Sequence, residues 1–496
     1  MPTKITSNQL TECEVSVASA PGKVLIVGGY LVLDREFKGL VVGTDARFYA
    51  AVKTVDKQEA PADTDPLPGV VLITVTSVQF NQTRWSYALS YGAGGSKELA
   101  LSQVHSANGG KNRFVETVIQ CTLLLVQHAN PAAISELFAG AAKHVLIALA
   151  ADNDFYSQAQ ELRARGLPPT SKGLSMLPKF CHTNTTLRDV HKTGLGSSAA
   201  MVTSLVAALL QHFGLVGKGN PAFDKQLIHN LAQYCHCLAQ GKIGSGFDIS
   251  AAVFGSHTYR RFSPKFIEGV MAANTNGEAL FRAIYPQSLD DMPMWDSQFV
   301  SVSVPPRFIL RLADVDTGSH TPSMVSKVLS WKKANLTEAA VLWKSIAAAN
   351  DRVVSLWHSL SELAEQNSQA YNSAIDAFAA IPSTEWPSLG GSTKSGNKSG
   401  ISSGSDSSRG KHLLVELRDA CLEVRFLLRR LGALSSVPIE PPEQTRLLDA
   451  CMSNVPGVVM AGVPGAGGYD AIYCIVLDQA AADTVERLWV SWKEMS

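Results

Sequence analysis

The feature that most constrains this chain is a glycine-rich turn that runs directly into an apolar, helix-forming segment. The turn spans residues 192–200 and reads Lys-Thr-Gly-Leu-Gly-Ser-Ser-Ala-Ala, and the apolar segment follows at residues 201–210. Glycines let a backbone approach a phosphate closely, and the first N–H groups of a helix have no intrahelical partner and point at such an anion. The turn therefore predicts a phosphate cradle at a helix N-terminus, with Lys192 adding a mobile positive charge.

The same stretch also satisfies the dinucleotide fingerprint G-x-G-x-x-A, so its context has to decide between two kinds of site. A dinucleotide site of a dehydrogenase needs an acidic residue about 20 positions further on to bind the ribose. Residues 214–222 contain neither Asp nor Glu. A Walker loop is excluded because no Gly-Lys pair of the chain is followed by Ser or Thr. Taken alone, the segment could also be a turn that only caps its helix.

Two further glycine-rich segments favour a phosphate site. Near the N-terminus, residues 18–23 read Ala-Ser-Ala-Pro-Gly-Lys and precede an apolar run and Gly28-Gly29-Tyr30. Near the C-terminus, residues 462–470 are rich in glycine and lie between the strand-like runs 458–461 and 471–477. In this order, the three segments resemble the motifs of the GHMP small-molecule kinases, and the resemblance covers nearly the whole chain.

Within that family, the details are similar to the fungal and bacterial branch whose acceptor is 5-phosphomevalonate. Gly28-Gly29-Tyr30 stands where mevalonate kinases and galactokinases usually have Gly-Glu-His. Residues 239–248 end in Gly-Ser-Gly-Phe-Asp, similar to that branch's version of the loop with the family's active-site aspartate, here Asp248. The polar segment 314–323 is similar to its acceptor-binding segment. Another GHMP member, such as mevalonate kinase or mevalonate diphosphate decarboxylase, and a non-catalytic nucleotide-binding regulator are the alternatives.

The resemblance implies an α+β protein with two domains and a site in the cleft between them. The N-terminal α/β domain, with a ribosomal-protein-like fold, would span residues 1–258, and a ferredoxin-like α+β domain would span residues 259–496. Residues 390–410 are almost wholly Gly and polar, so they cannot bury enough surface to offset the entropy of ordering, and they predict a disordered insertion.

Periodicity and punctuation predict several elements directly. Alternation in residues 1–90 indicates an antiparallel sheet, and residues 114–127 and 198–213 are long enough for packed helices. Residues 92–111 indicate a surface insertion, and residues 411–431 predict a helix that stops at Gly432. The C-terminal region predicts a helix, two strands and a helix around the third glycine-rich segment.

The chemistry that the resemblance implies is phosphoryl transfer from MgATP to 5-phosphomevalonate in the mevalonate pathway of isoprenoid synthesis, with ADP and mevalonate 5-diphosphate as products. A phosphate acceptor has a second pKa of about 6, so it is mostly ionised at neutral pH and hardly needs a base. The acceptor phosphate and the γ-phosphate of ATP, both anions, must instead approach each other in line, so cations are needed to offset their repulsion. The predicted catalytic residues are Lys23, Lys192 and Asp248, with Asp248 positioning Mg²⁺ or a lysine rather than abstracting a proton. Lys242 is a further candidate cation.

The resemblance also implies binding residues, which fall into two groups. The ATP-binding group is the cradle itself: Gly194, Leu195, Gly196, Ser197, Ser198, Ala199 and Ala200. The acceptor-binding group comes from several segments: Lys23, Gly29, Tyr30, Ser245, Gly246, Ser319, Thr321, Ser323, Gly465, Ala466 and Gly467. Trp85 and Tyr87 form a possible wall for adenine, with a buried aromatic pair as the alternative.

The sequence also bears on metal ligands, partners and cellular compartment. Mevalonate kinases carry a glutamate upstream of the aspartate loop that helps to hold Mg²⁺, but residues 231–240 contain no acid, so a Ser197 or Ser198 hydroxyl is the predicted protein ligand. Cys235-His236-Cys237 lacks a second ligand pair for zinc. Lys plus Arg and Asp plus Glu both number 43, which argues against a nucleic-acid partner. Without a membrane-length apolar run, a cytoplasmic monomer or homodimer is expected.

Overall fold

The computed structural model describes residues 15–56, 69–81, 83–91, 98–106, 110–140, 142–272, 277–285, 295–315, 321–389 and 406–493. Its strands are β1 (Ser16–Val27), β2 (Lys38–Asp56), β3 (Val71–Ser77), β4 (Arg84–Tyr91), β5 (Leu99–Ser106), β6 (Lys143–Ala151), β7 (His257–Arg260), β8 (Gln298–Ser301), β9 (Ile309–Asp314), β10 (Val458–Gly462) and β11 (Ala471–Val476).

Helices connect and cover these strands. They are α1 (Arg113–Ala129), α2 (Pro131–Phe138), α3 (Ala159–Ala164), α4 (Ser171–Ser175), α5 (Ser197–His212), α6 (Pro221–Gln240), α7 (Phe247–Phe254), α8 (Pro264–Ala272), α9 (Gly277–Ile284), α10 (Thr321–Ala334), α11 (Leu336–Gln366), α12 (Ser368–Ala379), α13 (Trp386–Leu389), α14 (Asp406–Ser435), α15 (Pro442–Asn454) and α16 (Gln479–Ser491).

The first sheet carries the N-terminal part of the fold. Its order is β5-β4-β3-β6-β2-β7-β8, and β1 pairs with β2. Neighbours are antiparallel as expected, except that β3 runs parallel to β6. Helix α5 packs on β1 and β2 and touches α1 and α6, because its apolar side chains line most of its surface. The N-terminus of α5 is thereby fixed at the end of β1.

The second sheet carries the C-terminal part. Its order is β10-β11-β9, and both pairs are antiparallel. The long helices α11 and α14 pack together beside it, and α15 and α16 flank its strands. The predicted helix, strand, strand, helix order of the C-terminal region is confirmed, and so is the α+β class with its two differently built halves.

Four sequence expectations about segment boundaries need correction. Residue 258 lies inside β7, and β8 extends the first sheet to Ser301, so the change between sheets falls between Ser301 and Ile309. The segment 92–111 contains the edge strand β5 at residues 99–106, which pairs with β4. Residues 406–410 belong to α14, whereas residues 390–405 lie outside the described residues.

Gly432 does not end its helix either. Helix α14 continues to Ser435, and Ser436 takes the left-handed backbone conformation, with φ 54°, that ends it. The chain then folds back, and the Val437 N–H donates to the Gly432 carbonyl. A Cβ at residue 432 would lie 2.6 Å from the Val437 oxygen, so this glycine permits the return of the chain rather than stopping the helix.

Candidate active site

The phosphate cradle, defined as residues 192–200, has the geometry that its sequence predicts. Gly194 and Gly196 both have φ 80°, and Gly196 precedes the first residue of α5. The first hydrogen bond of the helix runs from the Ala200 N–H to the Gly196 carbonyl, so the N–H groups of residues 197–199 come before it. A Cβ built on Gly194 meets no described heavy atom within 4 Å. The cradle therefore combines open space beside Gly194 with backbone N–H groups that precede the first hydrogen bond of the helix.

Lys23 holds the cradle from β1. Its backbone N–H donates to the Leu195 carbonyl at 3.0 Å, and its Nζ donates to the Gly194 carbonyl at 2.9 Å. The β1–β2 register shifts between Pro21 and Lys23, and this irregularity changes the direction of the strand beside the cradle. Burial lowers the pKa of Lys23 below its ordinary value, and the charge of Asp248 opposes that shift. The half-buried ammonium group thus stands between the cradle and Asp248.

Asp248 lies in the first turn of α7. Gly246, with φ 86°, precedes this helix, and a Cβ there would lie 2.7 Å from both the Tyr259 hydroxyl and the Gln233 amide oxygen. The close packing explains the Ser-Gly-Phe-Asp sequence, because only glycine fits the position. The Asp248 carboxylate accepts from the Ile249 N–H at 3.0 Å, and a quarter of its side-chain surface stays exposed.

The two serines of the cradle face different neighbours. The Ser197 side chain forms a hydrogen bond with the Tyr156 side chain, and this bond opposes the burial that raises the pKa of Tyr156 to about 12. Ser198 Oγ instead lies 3.2 Å from His236 Nε2. The same His236 nitrogen is 3.9 Å from the Asp248 carboxylate. Of the two candidate metal ligands, Ser198 is therefore the one beside Asp248.

His236 is a residue that the sequence interpretation weighed only as a zinc ligand. Burial lowers its pKa, the charge of Asp248 opposes the shift and Lys242 adds to it, so the neutral imidazole is favoured. Within the described residues, no group of His, Cys, Asp and Glu side chains has the arrangement of a metal centre. The available sequence signal was the spacing of His236 and Gln240 by one helical turn, directly before the aspartate loop.

The C-terminal glycine loop, defined as residues 462–470, forms the opposite wall. Its Gly468 N–H donates to the Ile439 carbonyl at 2.9 Å, and a Cβ on Gly467 would lie 2.1 Å from that oxygen. The Tyr30 hydroxyl donates to the Ala466 carbonyl at 2.8 Å, although Tyr30 itself has φ 63°. A Cβ on Gly29 would lie 2.5 Å from the Gly465 oxygen. The turn after β1 and this loop are thus in direct contact.

A cavity of about 940 Å³ opens between these elements. Many of the predicted site residues line it: Lys23, Tyr30, Gly194, Lys242, Ser245, Gly246, Asp248, Thr321, Gly465, Ala466 and Gly467. Lys192 and Ser323 are exposed and lie outside this lining. Gly29 and the cradle residues 195–200 also lie outside it, and Ser319 lies outside the described residues. The structure therefore brings at least one residue of each of the three glycine-rich segments to one space.

Two further basic residues, Arg261 and Lys332, line the cavity. Arg261 donates to the carbonyls of Leu33, Ile243 and Gly244, so its guanidinium braces two loops at the rim. Lys332 pairs with Asp34 at 3.2 Å and lies 4.7 Å from the ring centroid of Trp343. The two aromatic residues predicted as an adenine wall are not exposed to a ligand, because Tyr87 is fully buried and Trp85 is nearly so. That aromatic pair belongs to the core of the first sheet.

Comparison with known proteins agrees with this geometry. The GHMP kinases N terminal domain matches residues 170–256, and the GHMP kinases C terminal domain matches residues 418–491. A protein of Arabidopsis thaliana named phosphomevalonate kinase, peroxisomal, is 36% identical over 96% of this chain and 92% of its own length. This chain belongs to the phosphomevalonate kinases of the GHMP kinase family.

Other members of the family support the assignment. A phosphomevalonate kinase of Aspergillus fumigatus is 35% identical over 96% of this chain and 89% of its own length. A Streptococcus pneumoniae phosphomevalonate kinase, solved with phosphomevalonate and AMPPNP, has the same fold with a TM-score of 0.52. Its identity is 14%, over 95% of each chain. The expected GHMP kinase fold is thereby confirmed.

Proposed function

We propose that this kinase transfers the γ-phosphoryl group of ATP to the phosphate of 5-phosphomevalonate and releases ADP and mevalonate 5-diphosphate. The observation that carries the proposal is the shared cavity, which joins Gly194 of the cradle, Lys23 and Asp248 to the C-terminal glycine loop. The relatives named phosphomevalonate kinase, at 35 to 36% identity over nearly the whole chain, supply the acceptor. ATP would place its phosphates at the N-terminus of α5.

Transfer between two phosphates needs charge stabilisation more than proton removal. The acceptor phosphate is mostly ionised at neutral pH, because its second pKa is about 6. The transferring group carries its negative charge between two other anions, so fixed donors and cations lower the barrier. Lys23 is the proposed cation, since its Nζ already stands at the mouth of the cradle. Backbone N–H groups of residues 197–199 would bind the ATP phosphates.

Asp248 then acts on Lys23 and not on the acceptor. Its charge favours the protonated form of Lys23 against the burial that lowers the pKa of that lysine. A protonated Lys23 is what the transition state requires. The carboxylate is itself fixed by the Ile249 N–H. We therefore assign to Asp248 the positioning role, with proton abstraction unnecessary for this acceptor.

The donors beside the cradle fit Mg²⁺, which favours oxygen ligands and keeps several waters. The Ser198 hydroxyl lies 3.2 Å and the Asp248 carboxylate 3.9 Å from His236 Nε2, and these two groups would supply the protein's oxygen ligands beside phosphate oxygens and water. When bound, Mg²⁺ neutralises part of the charge on the β- and γ-phosphates. The protein's part is to orient these two oxygen donors.

The remaining binding roles complete the proposal. Lys192, exposed beside the cradle, would contact the ATP phosphates from outside. Ser245, Gly246, Thr321 and the C-terminal glycine loop would surround the acceptor, together with Ser319 and Ser323. No described helix has the length and apolar character to cross a membrane. A cytoplasmic monomer or homodimer remains our proposal, while the Arabidopsis relative is named as peroxisomal.

The direct test is an ADP-release assay on three acceptors side by side. With MgATP, we expect turnover on 5-phosphomevalonate and at most about 1% of that rate on mevalonate or mevalonate 5-diphosphate, because each misplaces the attacking oxygen. A higher rate with mevalonate would indicate a mevalonate kinase, and release of CO₂ from the diphosphate would indicate a decarboxylase. Binding of ATP without turnover on any acceptor would indicate a regulator.

A further inference from the structure

One buried histidine joins three helices beneath the site. His236, in the last turns of α6, is 4% exposed, and its ring lies against Phe114 of α1 with centroids 5.5 Å apart. Its Nε2 is 3.2 Å from Ser198 Oγ in the first turn of α5. The same atom is 3.9 Å from the Asp248 carboxylate in the first turn of α7. A single ring nitrogen thus faces the cradle and the aspartate together.

The fixed orientation of this ring has a chemical consequence for Ser198. Phe114 packs against the ring, and the Gln240 amide nitrogen lies 3.0 Å from Nε2. A neutral imidazole has one nitrogen that accepts a hydrogen bond. An amide nitrogen only donates, so Nε2 is this accepting nitrogen, and it takes the Gln240 and Ser198 protons in one three-centre bond. Both lone pairs of the serine oxygen then stay directed away from the histidine. A hydroxyl held in this way is a preorganised oxygen donor.

We propose that His236 is a positioning residue for phosphoryl transfer, which orients the Ser198 hydroxyl at the start of α5. It occupies the stretch 231–240, which carries no acidic residue. It acts through Ser198 and does not itself contact the transferred group. The inference rests on the proposed phosphoryl transfer, and it adds a residue to which that proposal assigns no role.

The chain offers a matched control on the same helix. His229 is also fully buried, but its ring lies beside Phe254 and Trp295, and its Nδ1 faces Asn230. It is absent from the cavity lining within the described residues. His229→Gln therefore removes a buried imidazole from α6 without touching Ser198 or Asp248. Any general effect of losing a buried histidine appears in this variant too.

The experiment measures the chemical step by single turnover and, separately, the equilibrium affinity for AMPPNP. We expect His236→Ala to slow the chemical step about 10- to 100-fold while the AMPPNP affinity changes less than about threefold, because backbone donors hold the phosphates in the ground state. His236→Gln, whose amide reaches the position of Nε2, should restore the step to within about fivefold of wild type. His229→Gln should stay within about threefold of wild type in both measurements.

A double-mutant cycle with Ser198→Ala decides whether His236 acts through the serine. We expect the double variant to be no more than about threefold slower than Ser198→Ala alone, since one interaction cannot be lost twice. Additive losses would overturn the proposal, and so would a His236→Gln variant as slow as His236→Ala. If His236→Ala does not fold, the single-turnover rates of His236→Gln and Ser198→Ala still decide: the proposal requires His236→Gln to be the faster of the two. Failure of the proposed function would look different, because the wild type itself would not turn over 5-phosphomevalonate.

Discussion

The two glycine-rich loops of the site look alike in sequence but differ in what their glycines contact. In the phosphate cradle, a Cβ on Gly194 meets no described atom within 4 Å, and one on Gly196 meets only the flexible Lys23 side chain. In the C-terminal glycine loop, a Cβ on Gly467 would lie 2.1 Å from the Ile439 backbone oxygen. Gly194 leaves room for a ligand and Gly196 for the movable Lys23 side chain, whereas Gly467 leaves room for the fixed backbone of the protein itself.

This difference implies different stability for the two sides of the cavity. The cradle depends on Lys23 and on the packing of α5, and its open face is completed only by bound phosphates. The C-terminal glycine loop is held from behind by Ile439 and from the front by Tyr30. Changes behind the C-terminal loop should therefore lower the stability of the fold. Changes in the cradle should mainly weaken ATP binding.

The largest effect on stability is expected behind the C-terminal loop, at Glu440. This buried carboxylate follows Ile439 and is bound by Arg425 at 2.7 Å and by Arg429 at 2.9 Å. Glu440→Gln should lower the unfolding free energy by about 3 to 5 kcal/mol, because it leaves buried guanidinium charge uncompensated. Asp449→Asn is the control, since Asp449 also pairs with Arg425 but is 58% exposed. Its loss should cost less than about 1 kcal/mol in chemical denaturation.

The same carboxylate gives a pH dependence of stability with a definite sign. Burial alone would raise the pKa of Glu440, but its bonds to Arg425 and Arg429 outweigh burial and hold the pKa below the ordinary 4.5. Its contribution is thus complete above the unfolded-state pKa and is lost as the pH falls through the folded-state pKa. The wild type should lose stability more steeply than Glu440→Gln below pH 4.5. Parallel profiles would contradict this account of the ion pair.

Gly467→Ala compares the packed loop with an open position in the same loop. Gly467 has φ 73° and a carbonyl oxygen in the way of a Cβ, whereas Gly465 has φ 66° and nothing within 4 Å. We expect Gly467→Ala to cost about 3 kcal/mol of unfolding free energy, from left-handed strain and the clash together. Gly465→Ala should cost only the strain, about 1 kcal/mol. Equal losses in thermal or urea unfolding would show that the Ile439 contact does not matter.

Gly194→Ala makes the corresponding change in the cradle. Its φ of 80° predicts a strain of about 1 kcal/mol, similar to that at Gly465. The added methyl group would stand where phosphates approach the backbone, so ATP affinity should fall about tenfold. Calorimetric titration with AMPPNP measures the affinity, and the acceptor KM should stay unchanged. Unchanged ATP affinity would remove Gly194 from the proposed ATP site.

The smallest effect is expected at the contact between the turn after β1 and the C-terminal loop. Tyr30→Phe removes the hydrogen bond to the Ala466 carbonyl and leaves the ring in place. Such a bond contributes about 1 kcal/mol, so the KM for the acceptor should rise about three- to fivefold while ATP binding is unchanged. Steady-state kinetics on both substrates checks this. An effect on ATP alone would mean that the loop does not serve the acceptor.

Much of this site could be predicted because its motifs are local in sequence. The cradle and the aspartate loop each place a glycine with positive φ directly before a helix, at Gly196 and Gly246. The C-terminal glycine loop likewise depends on positive φ values within a few residues. The positions of β10 and β11 followed from their apolar runs for the same reason. Such signals survive in a single sequence because neighbouring residues produce them.

The rest depends on contacts between distant segments. Ser198 and His236 are 38 residues apart, and only the packing of α5 on α6 brings them together. Arg261 braces loops that lie 228 and 17 residues away. Trp85 and Tyr87 were possible ligand contacts by residue type, but their strand is covered on the faces they occupy. No local pattern distinguishes a buried aromatic pair from an exposed one.

The central claim is that Lys23, held at the mouth of the cradle, supplies the charge that stabilises phosphoryl transfer. Single-turnover rates and AMPPNP affinities of Lys23→Met and Lys192→Met test it most directly. We predict that Lys23→Met slows the chemical step at least about 100-fold with affinity within about fivefold of wild type. Lys192→Met should weaken ATP binding and keep the step within about tenfold. Full-rate chemistry in Lys23→Met, or the larger loss in Lys192→Met, would contradict the account.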